Sequence, residues 1–245
     1  MAKAIIFAAG LGTRLKPITD TIPKALVKVA NKSLLEHAVA HLCSYGINDL
    51  VVNVHHHAQK VIDMCHKLSM DYSCTITISD ESDKILETGG GLKKASQFLQ
   101  NEPYFIAYNV DILSNLNIAS LIEFHLSNKN LSSLAVRSRK TNRYFLFNEN
   151  MELCGWKNMA NNEIKLSSSK IQKLIPFAFS GIQVISNDML TLLQQWGNVF
   201  SITDAYIKLC AFYKIKGFVD NNSFWMDIGT PEKLEEANRI MLNLK

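Results

Sequence analysis

Glycines and cations fall close together near the start of the chain. Gly10 and Gly12 open the stretch Gly10–Leu26, GLGTRLKPITDTIPKAL, and Arg14, Lys16 and Lys24 lie inside it with Asp20 as the only acid. Glycine lets a backbone turn sharply and offer its N–H groups to something that approaches closely. Cationic side chains beside such donors describe a site for phosphate oxygens. Two better-known phosphate loops do not fit. No Gly-Lys pair follows Gly10 at P-loop spacing, and a dinucleotide fingerprint needs a glycine where Leu15 stands and an acid where Asn53 stands.

Other candidate groups follow along the chain. Glu87-Thr88-Gly89-Gly90-Gly91 opens a helix running through Phe98, and three successive glycines suggest a ligand that comes close to the backbone. Asp111 ends the apolar run Pro103–Tyr108, a place suited to a Mg²⁺ ligand, because that hard cation takes carboxylate, phosphate and water oxygens. Ser180 and Gly181 interrupt the strand-like segment Pro176–Ile185, as at a bulge or a close approach. Asp227 follows Phe224-Trp225-Met226, and it is not needed as a helix cap because Thr230 and Pro231 already suit that purpose. His55, His56 and His57 are consecutive at a strand end, where neighbours point to opposite faces, so they do not converge on one ion.

The elements that must position these groups read as an α/β fold. The run Ala4–Ala9 is a buried first strand; Ser33 and Glu36 have capping-box spacing for a helix that stops near Gly46. Leu50–Val54 and Cys74–Ile78 are strands flanking a helix at Ala58–Leu68, which predicts parallel strands covered by helices, with ligands beyond their carboxyl ends. Further on come a helix at Ile118–Leu126, a strand at Leu131–Val136, helices at Asp188–Gln195 and Thr203–Tyr213, a strand at Ile215–Val219 and a last helix at Glu232–Leu244. The polar region 137–173, with strand-like pieces Tyr144–Phe147 and Leu153–Trp156, reads as a β-rich excursion beside the sheet. The expected architecture is a Rossmann-like mixed, mostly parallel sheet flanked by helices, in one domain spanning 1–245.

Composition narrows the function class. The chain has 245 residues, 47% hydrophobic and 20% charged, with a net charge of +4 that is scattered without basic runs. That argues against nucleic-acid binding. No apolar stretch has transmembrane length and no signal-peptide pattern opens the chain, so a cytoplasmic protein without a membrane association is expected. The five cysteines, at 43, 65, 74, 154 and 210, are odd in number and lack a CxxC pair, which suits reduced thiols.

The stretch from Gly10 to Leu26 matches GxGTRLxPxTxxxPKxL and resembles the signature of the sugar-1-phosphate nucleotidyltransferases, with a GT-A-like fold. Leu86–Gly91, Phe179–Ile182 and the W-x-D-I-G-T-P run at 225–231 are similar to further segments of that family, so the resemblance covers essentially the whole chain. Val110 stands where the family usually has glycine, and Asn115 where relatives often carry an acid. The resemblance implies an NTP and a sugar 1-phosphate as substrates, Mg²⁺ as cofactor, and an NDP-sugar and pyrophosphate as products. It assigns Arg14 and Lys24 to catalysis, and Ala9, Gly10, Leu11, Gly12, Thr13, Glu87, Gly89 and Gly90 to the nucleotide. Asn109, Ser180 and Gly181 fall to the sugar, and Asp111 and Asp227 to the metal. In the family the 137–173 excursion helps build the sugar pocket, and a C-terminal β-helix domain is not expected here. The nearest resemblance is to the N-acetylmuramate 1-phosphate uridylyltransferases, which makes UTP the expected nucleotide. The alternatives are a mannose- or heptose-1-phosphate guanylyltransferase, a cytidylyltransferase acting on a phosphate such as phosphocholine, or an inactive nucleotide-sensing subunit. A monomer or a homodimer fits either case.

Overall fold

The fold was obtained as a computed structural model, which describes residues 2–167 and 173–243. The chain begins with β1 (Lys3–Phe7), passes through the signature loop and makes a small hairpin of β2 (Lys28–Val29) and β3 (Lys32–Ser33). Helix α1 (Leu34–Cys43), β4 (Asp49–Val54), α2 (Ala58–Asp71) and β5 (Thr75–Asp80) follow. Next come α3 (Glu87–Leu99), β6 (Tyr104–Asn109), β7 (Ile112–Ser114), α4 (Ile118–Asn128) and β8 (Ser132–Arg137). The excursion supplies β9 (Arg143–Phe147), β10 (Leu153–Asn158) and β11 (Glu163–Leu166), and it leads into the long β12 (Ile175–Ser186). The chain closes with α5 (Asp188–Leu193), α6 (Ile202–Leu209), β13 (Ile215–Val219), β14 (Trp225–Asp227) and α7 (Pro231–Asn243). Residues 168–172 of the excursion and Leu244 of the expected last helix lie outside the described residues.

The main sheet is mixed. Its order is β11-β10-β9-β12-β6-β1-β4-β5, with β8 also paired to β12 and β13 to β8. β6, β1, β4 and β5 are mutually parallel, whereas β12 runs antiparallel to β6, to β8 and to β9. β1 lies in the middle of the parallel set, which explains its unbroken apolar run. Ile5 and Ile6 are both fully buried because successive side chains point to opposite faces, and each face is covered. Ile6 lies in one apolar cluster with Leu35 and Val39 of α1 and Val61 of α2. Ile5 packs on the other face with Leu92, Ala95 and Leu99 of α3. Among the described residues, no helix is long and apolar enough to cross a membrane.

Local chemistry sets the helix ends as the sequence suggests. Ser33 Oγ accepts a bond from the Glu36 N–H at 3.1 Å, and Gly46 takes φ +73° just beyond α1. Thr230 Oγ1 accepts the Lys233 N–H at the start of α7, with Pro231 as the first helical residue.

Several expectations are corrected. β1 ends at Phe7, so Ala8 and Ala9 belong to the loop that follows. β4 ends at Val54, so the three histidines lie beyond it, and His57 takes φ +53° at the start of α2. β5 begins at Thr75 and reaches Asp80, while α5 and α6 stop at Leu193 and Leu209, earlier than their periodicity suggests. The pairs β2–β3 and β7–β14 are strands of two or three residues, too short to show an alternating pattern.

Candidate active site

At the carboxyl ends of β1, β4 and β6 lies a cleft of about 430 Å³. One wall is the signature loop, Ala9 to Thr13, with Lys24; the other is Ile85, Glu87 and Thr88 at the start of α3. Asn109, Val110 and Asp111 close it on the β6 side, and Phe7, Asn53 and Glu81 lie at its base.

The loop is folded back on itself. Gly12 takes φ +65°, and an added β-carbon there would lie 2.8 Å from Thr19 Cγ2 and 3.0 Å from Lys24 Cβ. Glycine is therefore required twice, by the left-handed backbone and by the close approach. The Gly12 carbonyl accepts bonds from the Leu15 N–H and the Thr19 hydroxyl, each at 2.8 Å. This closure carries Lys24 to the cleft, where its Nζ lies 2.5 Å from Asp111 Oδ2.

A separate ribbon brings the backbones of the two acids expected to bind metal alongside each other. β14 pairs antiparallel with β7, setting Asp227 opposite Ile112, and the Ile228 N–H donates to the Asp111 carbonyl at 2.8 Å. Their backbones are therefore joined by an antiparallel ribbon outside the main sheet, not by the ends of parallel strands. Asn115 secures that ribbon: its Oδ1 accepts the Phe224 N–H at 2.7 Å. Among the described residues, no group of three or more His, Cys, Asp or Glu side chains is gathered as a metal cage.

Arg14 lies beyond the cleft lining, beside Asp227. A β-carbon added at Gly229 would sit 2.8 Å from Arg14 Nη2 and 2.6 Å from Asp227 Oδ1, so the two side chains converge above that glycine. On the other side, the Arg139 guanidinium carbon lies 4.3 Å from the centre of the Trp225 ring. Burial holds the Arg139 side chain below the ordinary arginine range, against the opposing charge of Asp227. Burial, together with the charge of Asp111, raises the Tyr108 phenol well above its usual range.

Two sets of residues assigned from the sequence lie off the cleft lining. The N–H groups of Gly89 and Gly90 both donate to the Phe200 carbonyl, at 2.9 and 3.2 Å, so they are not free for a nucleotide. A β-carbon at Gly89 would lie 2.3 Å from the Phe200 ring, and one at Gly90 would lie 2.2 Å from the Asn198 carbonyl oxygen. The glycines let the 198–200 segment pack on α3. Ser180 lies off the lining as well: its Oγ is buried, and its carbonyl accepts the Trp225 indole N–H at 2.8 Å. Gly181 keeps its special place, with φ +80° at the β12 bulge and a β-carbon position 3.3 Å from Asn109 Cβ.

Sequence reasoning missed Asn53 and Glu81, which are 2% and 1% exposed at the base of the cleft. The signal was present, since an asparagine in the apolar run Leu50–Val54 is a buried polar group that needs partners. Thr88, within the Leu86–Gly91 segment singled out in the sequence, lines the cleft, and its hydroxyl accepts the Ile202 N–H at 3.1 Å.

The chain is similar to known proteins in sequence and in fold. A mannose-1-phosphate guanyltransferase from Candida glabrata is 27% identical over 233 residues, 94% of this chain and 62% of the relative. An N-acetylmuramate alpha-1-phosphate uridylyltransferase from Caulobacter vibrioides is 43% identical over 109 residues, 44% of this chain and 45% of the relative. The crystal structure of HddC from Yersinia pseudotuberculosis complexed with GMP-PN shares the fold, with a TM-score of 0.75 and 23% identity over 98% of this chain and all of that one. The chain spans 62% to 65% of the length of the guanyltransferases it matches from Candida, Yarrowia and Saccharomyces. The family described as Nucleotidyl transferase matches residues 3–150, from β1 through the signature loop and the Asp111 turn, and the chain belongs to that family.

Proposed function

We propose that this chain transfers a nucleotidyl group from an NTP to a sugar 1-phosphate, giving an NDP-sugar and pyrophosphate. The observation that carries this reading is the Lys24–Asp111 pair at the edge of a cleft walled by glycine-rich backbone. A phosphate oxygen of the sugar attacks the α-phosphorus in line. A new P–O bond forms as the bond to the bridging oxygen breaks, and the electron pair leaves with pyrophosphate. No covalent enzyme intermediate is needed, so catalysis comes from holding two anions together and neutralising their charge.

Lys24, in this reading, bridges the α-phosphate and the sugar phosphate, and Arg14 holds the β- and γ-phosphates. Backbone N–H groups of Leu11 and Gly12 contact the nucleotide, with Glu87 and Thr88 on the opposite wall. Asn109 and Gly181, adjacent across β6 and β12, face the sugar. Asp111 and Asp227 fit a magnesium ion, since two carboxylates completed by phosphate and water oxygens are the donor set that this cation takes. When bound, the ion supplies charge neutralisation between the two substrates.

For the nucleotide, we propose UTP with N-acetylmuramate 1-phosphate, supported by the uridylyltransferase relative at 43% identity. A guanylyltransferase acting on mannose 1-phosphate is the second reading, supported by relatives matched over 94% and 98% of this chain. Pyrophosphate release measured with four NTPs against several sugar 1-phosphates in Mg²⁺ tests both. Absence of release from every pair would sink the reading and favour a nucleotide-sensing protein.

A further inference from the structure

Asn53 and Glu81 are buried polar groups at the base of the cleft, and a carboxylate in such a place is costly unless it is bonded. β1 and β4 stay in register as far as Phe7 opposite Asn53, and there the ladder stops. The next two backbone N–H groups, of Ala8 and Ala9, both turn to Asn53 Oδ1, at 2.6 and 3.3 Å. The side-chain amide thus replaces the missing rungs and directs the chain into the Gly10–Thr13 loop. Its other end is equally committed, because Asn53 Nδ2 donates to Glu81 Oε1 at 2.8 Å. Only one orientation of the amide satisfies both ends.

Glu81 is itself held from several sides. Its N–H donates to the Val54 carbonyl at 2.8 Å, and its own carbonyl accepts from His55 Nδ1 at 2.6 Å. From α3, Gly91 leaves the space that the pair needs: a β-carbon there would lie 2.7 Å from Glu81 Oε1 and 3.0 Å from Asn53 Nδ2. Burial pushes the Glu81 carboxyl above its ordinary range, while the Asn53 bond and the nearby Lys94 and His55 act the other way.

We infer that Asn53 and Glu81 are a positioning pair that sets the path of the nucleotide-binding loop, and that NTP affinity depends on the hydrogen bond between them. The inference rests on the nucleotide-binding reading of the cleft. Neither side chain is asked to touch the reacting atoms. Their contribution is to fix the N–H groups of the loop before the nucleotide arrives.

The polarity of the bond supplies the test. Asn53→Asp keeps an acceptor for Ala8 and Ala9 but sets a carboxylate against Glu81. Glu81→Gln keeps an acceptor for Asn53. The double variant N53D/E81Q restores the bond with its direction reversed, and with the same charge as the native pair. Binding of UTP and of GTP is measured by calorimetry on the whole chain at neutral pH, beside the melting temperature. For the nucleotide that the native protein binds, N53D is expected to weaken affinity at least about tenfold, a loss of about 1.4 kcal/mol. E81Q should stay within about threefold of native, and N53D/E81Q within about threefold of E81Q. N53D should also recover affinity as the pH is lowered and the two carboxyls come to share a proton. Gly91→Ala guards against a misfolded N53D: its methyl displaces the pair, so affinity should fall about tenfold in a variant whose circular dichroism spectrum matches the native one. A folded N53D or G91A with native affinity, or an N53D/E81Q that gains nothing over N53D, overturns the inference. A native protein that binds neither nucleotide overturns it together with the reading of the cleft, whereas native binding with unaffected variants overturns the pair alone.

Discussion

Lys24 Nζ lies 2.5 Å from Asp111 Oδ2, although the two residues belong to different loops and are 87 positions apart. The pair puts a cation and an anion of the signature loop and the β6 turn at one edge of the cleft. Both side chains are partly shielded, with exposures of 12% and 22%, so the attraction is less screened than at an open surface.

If Lys24 bridges both reacting phosphates, Lys24→Ala should lower turnover by about 10²–10³-fold, the range for loss of one group that stabilises a transition state. Lys24→Arg should recover little of it, because a planar fork replaces a point charge. Steady-state pyrophosphate release with matched circular dichroism spectra checks this. Near-native turnover in Lys24→Ala would remove it from the mechanism.

Asp111 and Asp227 should behave as one unit, since the β7–β14 register sets Asp227 opposite Ile112, the neighbour of Asp111. Either single alanine variant should lose most of the rate, and the double variant little more, as for groups that act together. The singles should also need more Mg²⁺ for their remaining activity. Losses that multiply in the double variant would show that the acids act independently.

The native protein should show a higher kcat/KM with UTP than with GTP, CTP or ATP. A preference for GTP above about tenfold, or about 1.4 kcal/mol in transition-state binding, would move the assignment to the guanylyltransferase reading.

Gly89→Ala should destabilise the protein through Phe200, whose ring lies 2.3 Å from the new methyl position. The loss should be smaller when Phe200 is already alanine, which a double-mutant cycle of urea unfolding reads as coupling. Equal losses in both backgrounds would mean that the glycine serves something other than this packing.

His125 gives a pH dependence of stability. It is buried, with Ser133 Oγ 3.0 Å from Nδ1 and Ser186 Oγ 3.1 Å from Nε2, and burial lowers its pKa to about 4. The unfolded chain takes up the proton near pH 6.5 while the folded one does not, so this stability is present above pH 6.5 and is lost as pH falls towards 4. The contribution is up to about 3 kcal/mol, at about 1.4 kcal/mol for each pKa unit. Unfolding free energy measured between pH 7 and 4.5 should fall less steeply in His125→Gln than in the native protein. Identical slopes would exclude His125 as a source.

The sequence determined what depends on neighbours along the chain. The apolar run of β1, the Ser33 and Thr230 caps and Gly12 of the signature loop each follow from sterics or hydrogen bonds between residues near in the chain. The tertiary structure alone decided what depends on distant partners. The segments that carry Asp111 and Asp227 lie side by side because a three-residue strand finds its register against another more than a hundred positions away, and strands that short carry no periodic signal. Gly89 and Gly90 read as ligand-facing in isolation, and only the arrival of Phe200 and Asn198 against α3 shows what fills the space their missing side chains leave. Asn53 looked like a missing acid; folding made it the amide that joins the nucleotide loop to Glu81, because a buried polar group takes its role from whichever partner the fold brings within 3 Å.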